Sequence, residues 1–196
     1  MSLPLILASG SPRRRQLLSQ VGVPLEVIPS GADEPPHTDG DARAYCLANA
    51  RVKTEEVASR RPERFVLGAD TEVIFDGKAL GKPRDEAHAA EMLRRLAGQV
   101  HVVMTAFVLI APSGQRVERQ VETLVRVKSL TEAEITGYLG TGEPFDKAGA
   151  YGIQGIGTFL VASIEGSYSN VVGLPVAEVL EALEALGGPA PFTALG

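Results

Sequence analysis

The sequence predicts an α/β protein built on a mixed β-sheet, and two patterns predict it. Short apolar runs alternate with amphipathic stretches of helical period through the first half of the chain, as strand–helix units do. A long hairpin follows, Val100 to Ala111 and Arg116 to Val127 about Pro-Ser-Gly-Gln, whose second arm alternates valine or leucine with charge. Strand–helix units and an antiparallel hairpin together in 196 residues give one domain, residues 1–196, with a mixed sheet and not a regular doubly wound one.

The elements follow in order. Pro4 to Ser9 is a short buried strand. Ser11 suits an N-cap and Pro12 the first helical position, so a helix runs to about Gln20 and stops at Gly22. Pro24 to Pro29 is a second strand, and Ser30 to Asp41 a loop rich in Gly, Pro and Asp. Asp41 caps a helix from Ala42 to about Arg60. Arg64 to Leu80 reads as strand, polar break and strand, with an Asp76-Gly77 turn. Gly81 to Gly98 gives a loop and a helix ending at glycine. After the hairpin, Thr131 and Glu134 form a capping box for a short helix. Gly142 to Gly157 is too glycine-rich and irregular for strand or helix. Thr158 to Gly166 is a strand, Pro175 to Leu186 an amphipathic last helix, and Gly187 to Gly196 a loosely ordered tail.

Bulk composition narrows the function. Hydrophobic residues at 44% and charged residues at 22% specify a folded domain and exclude a disordered chain or coiled coil. A net charge of -5 and 5% aromatic residues argue against nucleic-acid binding, although a local basic pocket stays open. One cysteine, Cys46, allows no internal disulfide and fits a reducing compartment. No stretch approaches the roughly 18 apolar residues of a membrane span, so the expectation is a soluble cytoplasmic protein without membrane attachment.

Chemistry enters with "LASGSPRRRQLL". A helix N-terminus carries partial positive charge, so Arg13, Arg14 and Arg15 sit unfavourably there unless an anion arrives. A phosphate held by Ser9, Ser11, backbone N–H groups and one or two arginines satisfies them; solvent-facing arginines are the alternative. At about 100° per residue the three cannot share one pocket. Neither a P-loop nor a dinucleotide-binding glycine pattern is present. In "GADTE", Asp70 falls within an apolar run, where it needs a partner. It could hold Mg²⁺, orient a water, or close an Asx-turn in a broken strand. Lys82 and Lys147 lie beside turn residues, within reach of a bound phosphate. His37, His88 and His101 lack metal-ligand spacing, and Cys46 reads as a small core residue.

Together, "LASGSPRRRQLL", "GADTEV", "LGKPRDEAHAAEMLRRLAG", "HVVMTAF", "GEPFDKAGAYGIQGIG" and "GSYSNVVGLPV" resemble the Maf family of nucleoside triphosphate pyrophosphatases, in the family's order from Leu5 to Val176. The resemblance implies the fold of the inosine-triphosphate-pyrophosphatase-like proteins, an elongated mixed sheet flanked by helices with two lobes around a cleft. It implies hydrolysis of a nucleoside triphosphate between the α and β phosphates with Mg²⁺ or Mn²⁺. Asp70 would be general base or metal ligand. Ser9, Arg13, Arg14, Lys82 and Lys147 would meet phosphate. The second acidic position falls on Asp33 or Glu34, with Glu34 assigned to the metal beside Asp70. Arg51 stands where the family often has lysine, and Lys53 nearby is its substitute. The "AYGIQG" run is similar to the branch acting on dTTP and UTP, with Arg13, Thr71 and Gln154 at the specificity positions. Modified pyrimidine triphosphates, a pool-cleaning role, a link to cell-division arrest and a homodimer belong to the same expectation. The rivals are the same chemistry on 7-methyl-GTP, a nucleotidyltransferase, and a non-catalytic nucleotide-binding regulator of septum formation.

Overall fold

In a computed structural model of the chain, residues 3–34 and 41–193 are described, and their sheet has the order β2-β1-β3-β5-β6-β7. The strands are β1 (Leu5–Leu7), β2 (Leu25–Val27), β3 (Val66–Phe75), β4 (Lys78–Ala79), β5 (Val100–Ile110), β6 (Arg116–Val127) and β7 (Val161–Glu165). The helices are α1 (Pro12–Gln20), α2 (Ala42–Arg60), α3 (Glu86–Leu96), α4 (Glu132–Leu139), α5 (Tyr168–Val172) and α6 (Val176–Ala185). β1 runs parallel to β2 and β3, whereas β5, β6 and β7 are antiparallel to their neighbours, so the mixed sheet is present.

Most expected elements form, for the reasons read from the sequence. Asp41 Oδ1 accepts from Arg43 N at 2.9 Å, and Thr131 and Glu134 make the reciprocal capping box. Four expectations change. β3 is one unbroken strand with Asp70 at its middle, because β5 pairs it from Val66 to Ile74; the Asx-turn alternative falls. Ser11 occupies the N-cap position with extended backbone, but its side chain makes no cap bond. The last strand begins at Val161, since Gly155–Leu160 winds into a 3₁₀ turn. Residues 187–193 are tied down, with Pro189 buried and Phe192 N donating to Val21 O at 2.8 Å. α5 had no counterpart in the sequence reading. His37 and part of the Ser30–Asp41 loop lie outside the described residues.

Strand alternation sorts the core. The even-numbered side chains of β3 face α2, where Ile74 packs with Cys46, Ala50, Met104 and Val108. The odd-numbered ones face away and divide. Leu67 and Ala69 join Phe107, Leu109, Leu18 and Leu183 in one cluster. Val73 joins Val103, Val125, Leu93 and Tyr138 in another. These two cores on one face are the two lobes. Between them lie Thr71 and Thr105, cross-strand partners whose hydroxyls meet at 2.9 Å.

One edge of β3 is left open at the same level. β1 pairs with it at Val66 and Leu67, and β4 at Ile74 and Phe75. Among the described residues no strand covers the edge between them. A ligand against that stretch meets side chains from both faces of the sheet.

α2 reaches β3 because Gly68 has no side chain. A Cβ there would overlap Thr54 Oγ1 and lie 3.1 Å from Thr54 N. Gly68→Ala is expected to destabilise by about 1–3 kcal/mol through overpacking, read as a lower urea midpoint at unchanged slope. His101, 2% exposed, pairs through Nε2 with Tyr151 Oη at 2.6 Å, and burial lowers its pKa from 6.5 to about 4. Below the ordinary value the unfolded chain takes a proton that the folded chain refuses. Stability is therefore expected to fall as pH drops from about 6.5 to about 4, by about 1–3 kcal/mol from this group. His101→Phe should flatten that part of a stability–pH profile.

Candidate active site

The open edge of β3 gives onto a cleft of about 750 Å³, joined by shared lining residues to a smaller compartment of about 370 Å³ under β1's end. Asp70 and Glu72 come from one face of β3, Thr71 and Val73 from the other, and all four line the larger space. Both carboxylates are buried, at 9% and 8% exposure, so what holds them decides the chemistry.

α2 supplies the partners. Asn49 and Lys53 are four apart and so share a helix face. Lys53 Nζ lies 2.7 Å from Asp70 Oδ1 and 2.9 Å from Glu34 Oε1; Asn49 Nδ2 reaches Asp70 Oδ2 at 3.4 Å. Burial works against the Lys53 ammonium, but Asp70 and Glu34 outweigh it and raise its pKa. Glu72 is held differently: among the described residues its Oε2 is buried without a hydrogen bond. Burial first, and then the neighbouring Asp70 charge, push its pKa up to about 7. Cys46 sits behind Asp70, its thiol pushed by burial to about 12, which fits an inert core residue.

Of the three arginines, Arg15 is exposed. Arg13 reaches across the cleft mouth to Asp146 at 3.3 Å. Arg14 turns inward and donates to Gly173 O (2.8 Å), Ser9 Oγ (3.1 Å), Ala69 O (2.8 Å) and Thr71 Oγ1 (3.0 Å). Those four bonds use four of its five N–H donors. Burial lowers its pKa and the charge of Asp70 opposes the fall; a guanidinium stays charged regardless.

The remaining sequence-derived site residues distribute unevenly. Lys82 and Gln154 line the cleft, and Lys82 has no ion-pair partner among the described residues. Lys147 also lines it, donating to Glu143 O and Asp146 Oδ1, both at 2.6 Å. Ser9 lines the smaller compartment beside Ser11 and Glu34. Thr71 is in place, but Arg14, Thr105 and Gly173 O already engage its hydroxyl. Arg51 is a correction: it pairs with Glu118 on β6 at 2.6 Å and lines neither space. Residue 51 is two positions from Lys53, which on a helix is the wrong side for the cleft. Of Asp33 and Glu34, Glu34 lines both spaces and pairs with Lys53. The sequence reading missed Glu72, although Asp70 and Glu72 stand at strand spacing. It also missed Asn49, whose distance from Lys53 is a helix turn, and Asp146, adjacent to Lys147.

An open mixed sheet whose cleft has paired carboxylates on one wall and cations around its rim defines an α/β protein suited to an anionic ligand. The chain belongs to the Maf-like protein family, whose sequence model matches residues 4–186. It is 49% identical to a dTTP/UTP pyrophosphatase of Syntrophotalea carbinolica, over 93% of this chain and 84% of that one. A protein of the same name from Anaeromyxobacter sp. is 48% identical over 100% of this chain and 96% of its own, and one from Shigella sonnei 51% identical over 91% of each. A solved nucleoside-triphosphatase / dITP/XTP pyrophosphatase from Mycobacterium abscessus aligns with 94% of this chain and 97% of its own at 16% identity and a TM-score of 0.48, too distant to add to the topology described above.

Lys53→Met would leave Asp70 and Glu34 facing each other without their shared cation. It is expected to cost about 2–4 kcal/mol at pH 8, measured by chemical denaturation, because it strands a buried charge.

Proposed function

We propose that this protein hydrolyses nucleoside triphosphates, preferring dTTP and UTP, to the monophosphate and pyrophosphate. The observation that carries the reading is the cleft itself: buried Asp70 and Glu72 beside Lys53, in a chain about half identical to relatives named dTTP/UTP pyrophosphatase.

Among the described residues no three metal-ligating side chains converge as a ready-made set, and Lys53 bridges Asp70 and Glu34, so a hard divalent cation would have to draw the cleft carboxylates together. Asp70, Glu72 and Glu34 offer carboxylate oxygens, and Glu72 Oε2 is a buried acceptor with nothing to accept from. These three would hold Mg²⁺ or Mn²⁺. When bound, the ion would neutralise phosphate charge and acidify a coordinated water.

The chain's own residues do the rest. A triphosphate brings about four negative charges, which Lys82, Lys147 and Arg13 meet at the rim. Arg13 and Lys147 must first give up Asp146. Ser9 and the amides after β1 take phosphate oxygens in the smaller compartment. Arg14 acts through what it holds, keeping Ser9, Ala69 and Thr71 in place and offering its last N–H. Asp70 removes the proton from a water aligned with the α phosphorus, and Lys53 keeps that carboxylate oriented. Gln154 presents an amide that can donate to O4 and accept from N3–H of uracil or thymine. Thr71 shapes the wall behind the base instead of bonding it. The reading carries a cytoplasmic location, a nucleotide pool-cleaning role that extends to modified pyrimidine triphosphates, and a homodimer as the family's expected state. No helix among the described residues is long and apolar enough to cross a membrane.

With Mg²⁺, pyrophosphate release is expected to be fastest from dTTP and UTP, with dTMP and UMP as co-products. Asp70→Asn should lower it about 10²–10⁴-fold while leaving the fold intact. Fastest turnover of 7-methyl-GTP would overturn the base assignment. Triphosphate binding without turnover would make the cleft a sensor's.

A further inference from the structure

Glu143 lies outside the reacting centre, yet the turn that carries Gln154 hangs on it. Its Oε1 accepts from Tyr138 Oη at 2.9 Å and from Gly157 N at 2.8 Å. Its Oε2 accepts from Ile156 N at 2.8 Å. Its backbone carbonyl accepts from Lys147 Nζ at 2.6 Å. Ile156 and Gly157 open the 3₁₀ turn Gly155–Leu160, and Gln154 is the residue immediately before it. Glu143 therefore satisfies, from 13 and 14 residues upstream, amides that the turn leaves open. Burial works against its ionised form, and the three donors outweigh it, holding its carboxyl below the ordinary carboxylate range.

The glycines around Gln154 fit the same arrangement. A Cβ on Gly155 would lie 2.6 Å from Glu143 Oε2, and Gly155 has φ +72. A Cβ on Gly157 would overlap Gly152 O and lie 2.5 Å from Tyr138 Oη. Bare backbone is needed at both positions after Gln154 because the carboxylate and the phenol occupy the space side chains would take. Tyr138, on α4, is itself anchored, 2% exposed in the cluster that α4 shares with Met92, Leu93 and Leu96 of α3, and its hydroxyl also accepts from Gly152 N at 3.3 Å.

We propose that Glu143, braced by Tyr138, is a positioning residue for base selection: its carboxylate fixes the Gly152–Gly157 turn and so the aim of the Gln154 amide. The same residue's carbonyl sets Lys147, so base and phosphate contacts share one reference point. This rests on the reading of Gln154 as the group that meets the base. A pyrimidine triphosphate with an amino group at C4 is refused when the amide is held in one orientation, and is accepted more readily when the turn is loose.

The test compares kcat/KM for UTP and CTP in the wild-type protein, Glu143→Ala, Glu143→Gln, Tyr138→Phe and Gln154→Ala. Glu143→Ala is expected to reduce the UTP-to-CTP ratio by about tenfold, the scale of a lost buried hydrogen bond. Glu143→Gln and Tyr138→Phe, which remove part of the network, should shift the ratio in the same direction by less and provide folded proteins should the alanine variant fail to fold. A structural role alone would lower activity on both substrates equally and leave the ratio unmoved. If Gln154→Ala collapses the ratio while the Glu143 and Tyr138 variants keep it, the proposal is wrong and the base reading stands. If Gln154→Ala itself keeps the ratio, the base reading is wrong and the proposal falls with it.

Discussion

The four hydrogen bonds of Arg14 are the constraint on which the rest of the cleft depends. They join the end of β1, the open edge of β3 and the residue after α5, with acceptors 5, 55, 57 and 159 positions from Arg14 along the chain. A lysine could not replace it, because the fork of a guanidinium is what lets one side chain meet four acceptors in different directions. The charge is compensated from a distance by Asp70 on the other face of β3. A cation placed at a helix start against the dipole is thus held by carbonyl and hydroxyl oxygens as well as by charge.

Around Arg14 runs a polar seam between the two hydrophobic lobes. Thr71 meets Thr105, Thr105 donates to Asn170 O at 3.2 Å, and Asn170 Nδ2 reaches Val103 O and Thr123 Oγ1, both at 3.0 Å. The seam explains why α5 exists: five residues are too few to be a stable helix alone, and side-chain bonds to the sheet replace propensity. It also separates structural from chemical duty. Thr71 and Arg14 face the seam; Asp70 and Glu72, one residue out of phase, face α2 and the cleft.

Much of this was legible in the sequence. The hairpin was visible because β6 alternates charge with valine or leucine over its length, and the caps at Asp41 and Thr131 because their chemistry is local. Asp70 was recognisable as a buried carboxylate, but its strand was not recognisable as continuous. Thr71 is a good strand residue, and the apparent break came from two acids, of which Asp70 finds its partners, Lys53 and Asn49, on another element. Arg51 failed for a related reason: a motif fixes chain position, and a helix converts two positions into opposite faces. Glu143 was not legible either, since two of the three bonds to its carboxylate come from backbone amides, which every residue has, and the third from a tyrosine hydroxyl.

The mixed direction of the sheet has a consequence for how the chain reaches this state. β5 and β6 are joined by a short turn and can zip together from neighbouring residues, so the antiparallel half has little loop entropy to overcome. The parallel half must bring β1 to β3 across the whole of α1, β2 and α2, and Arg14 must then find Gly173 from 159 positions away. Loop entropy thus favours the hairpin as the cheapest part of the sheet to close and makes the contacts that shape the cleft the costliest. The cleft is therefore the part of the molecule that depends most on long-range closure, since its Arg14 cradle is complete only once Gly173, 159 positions away, is in place.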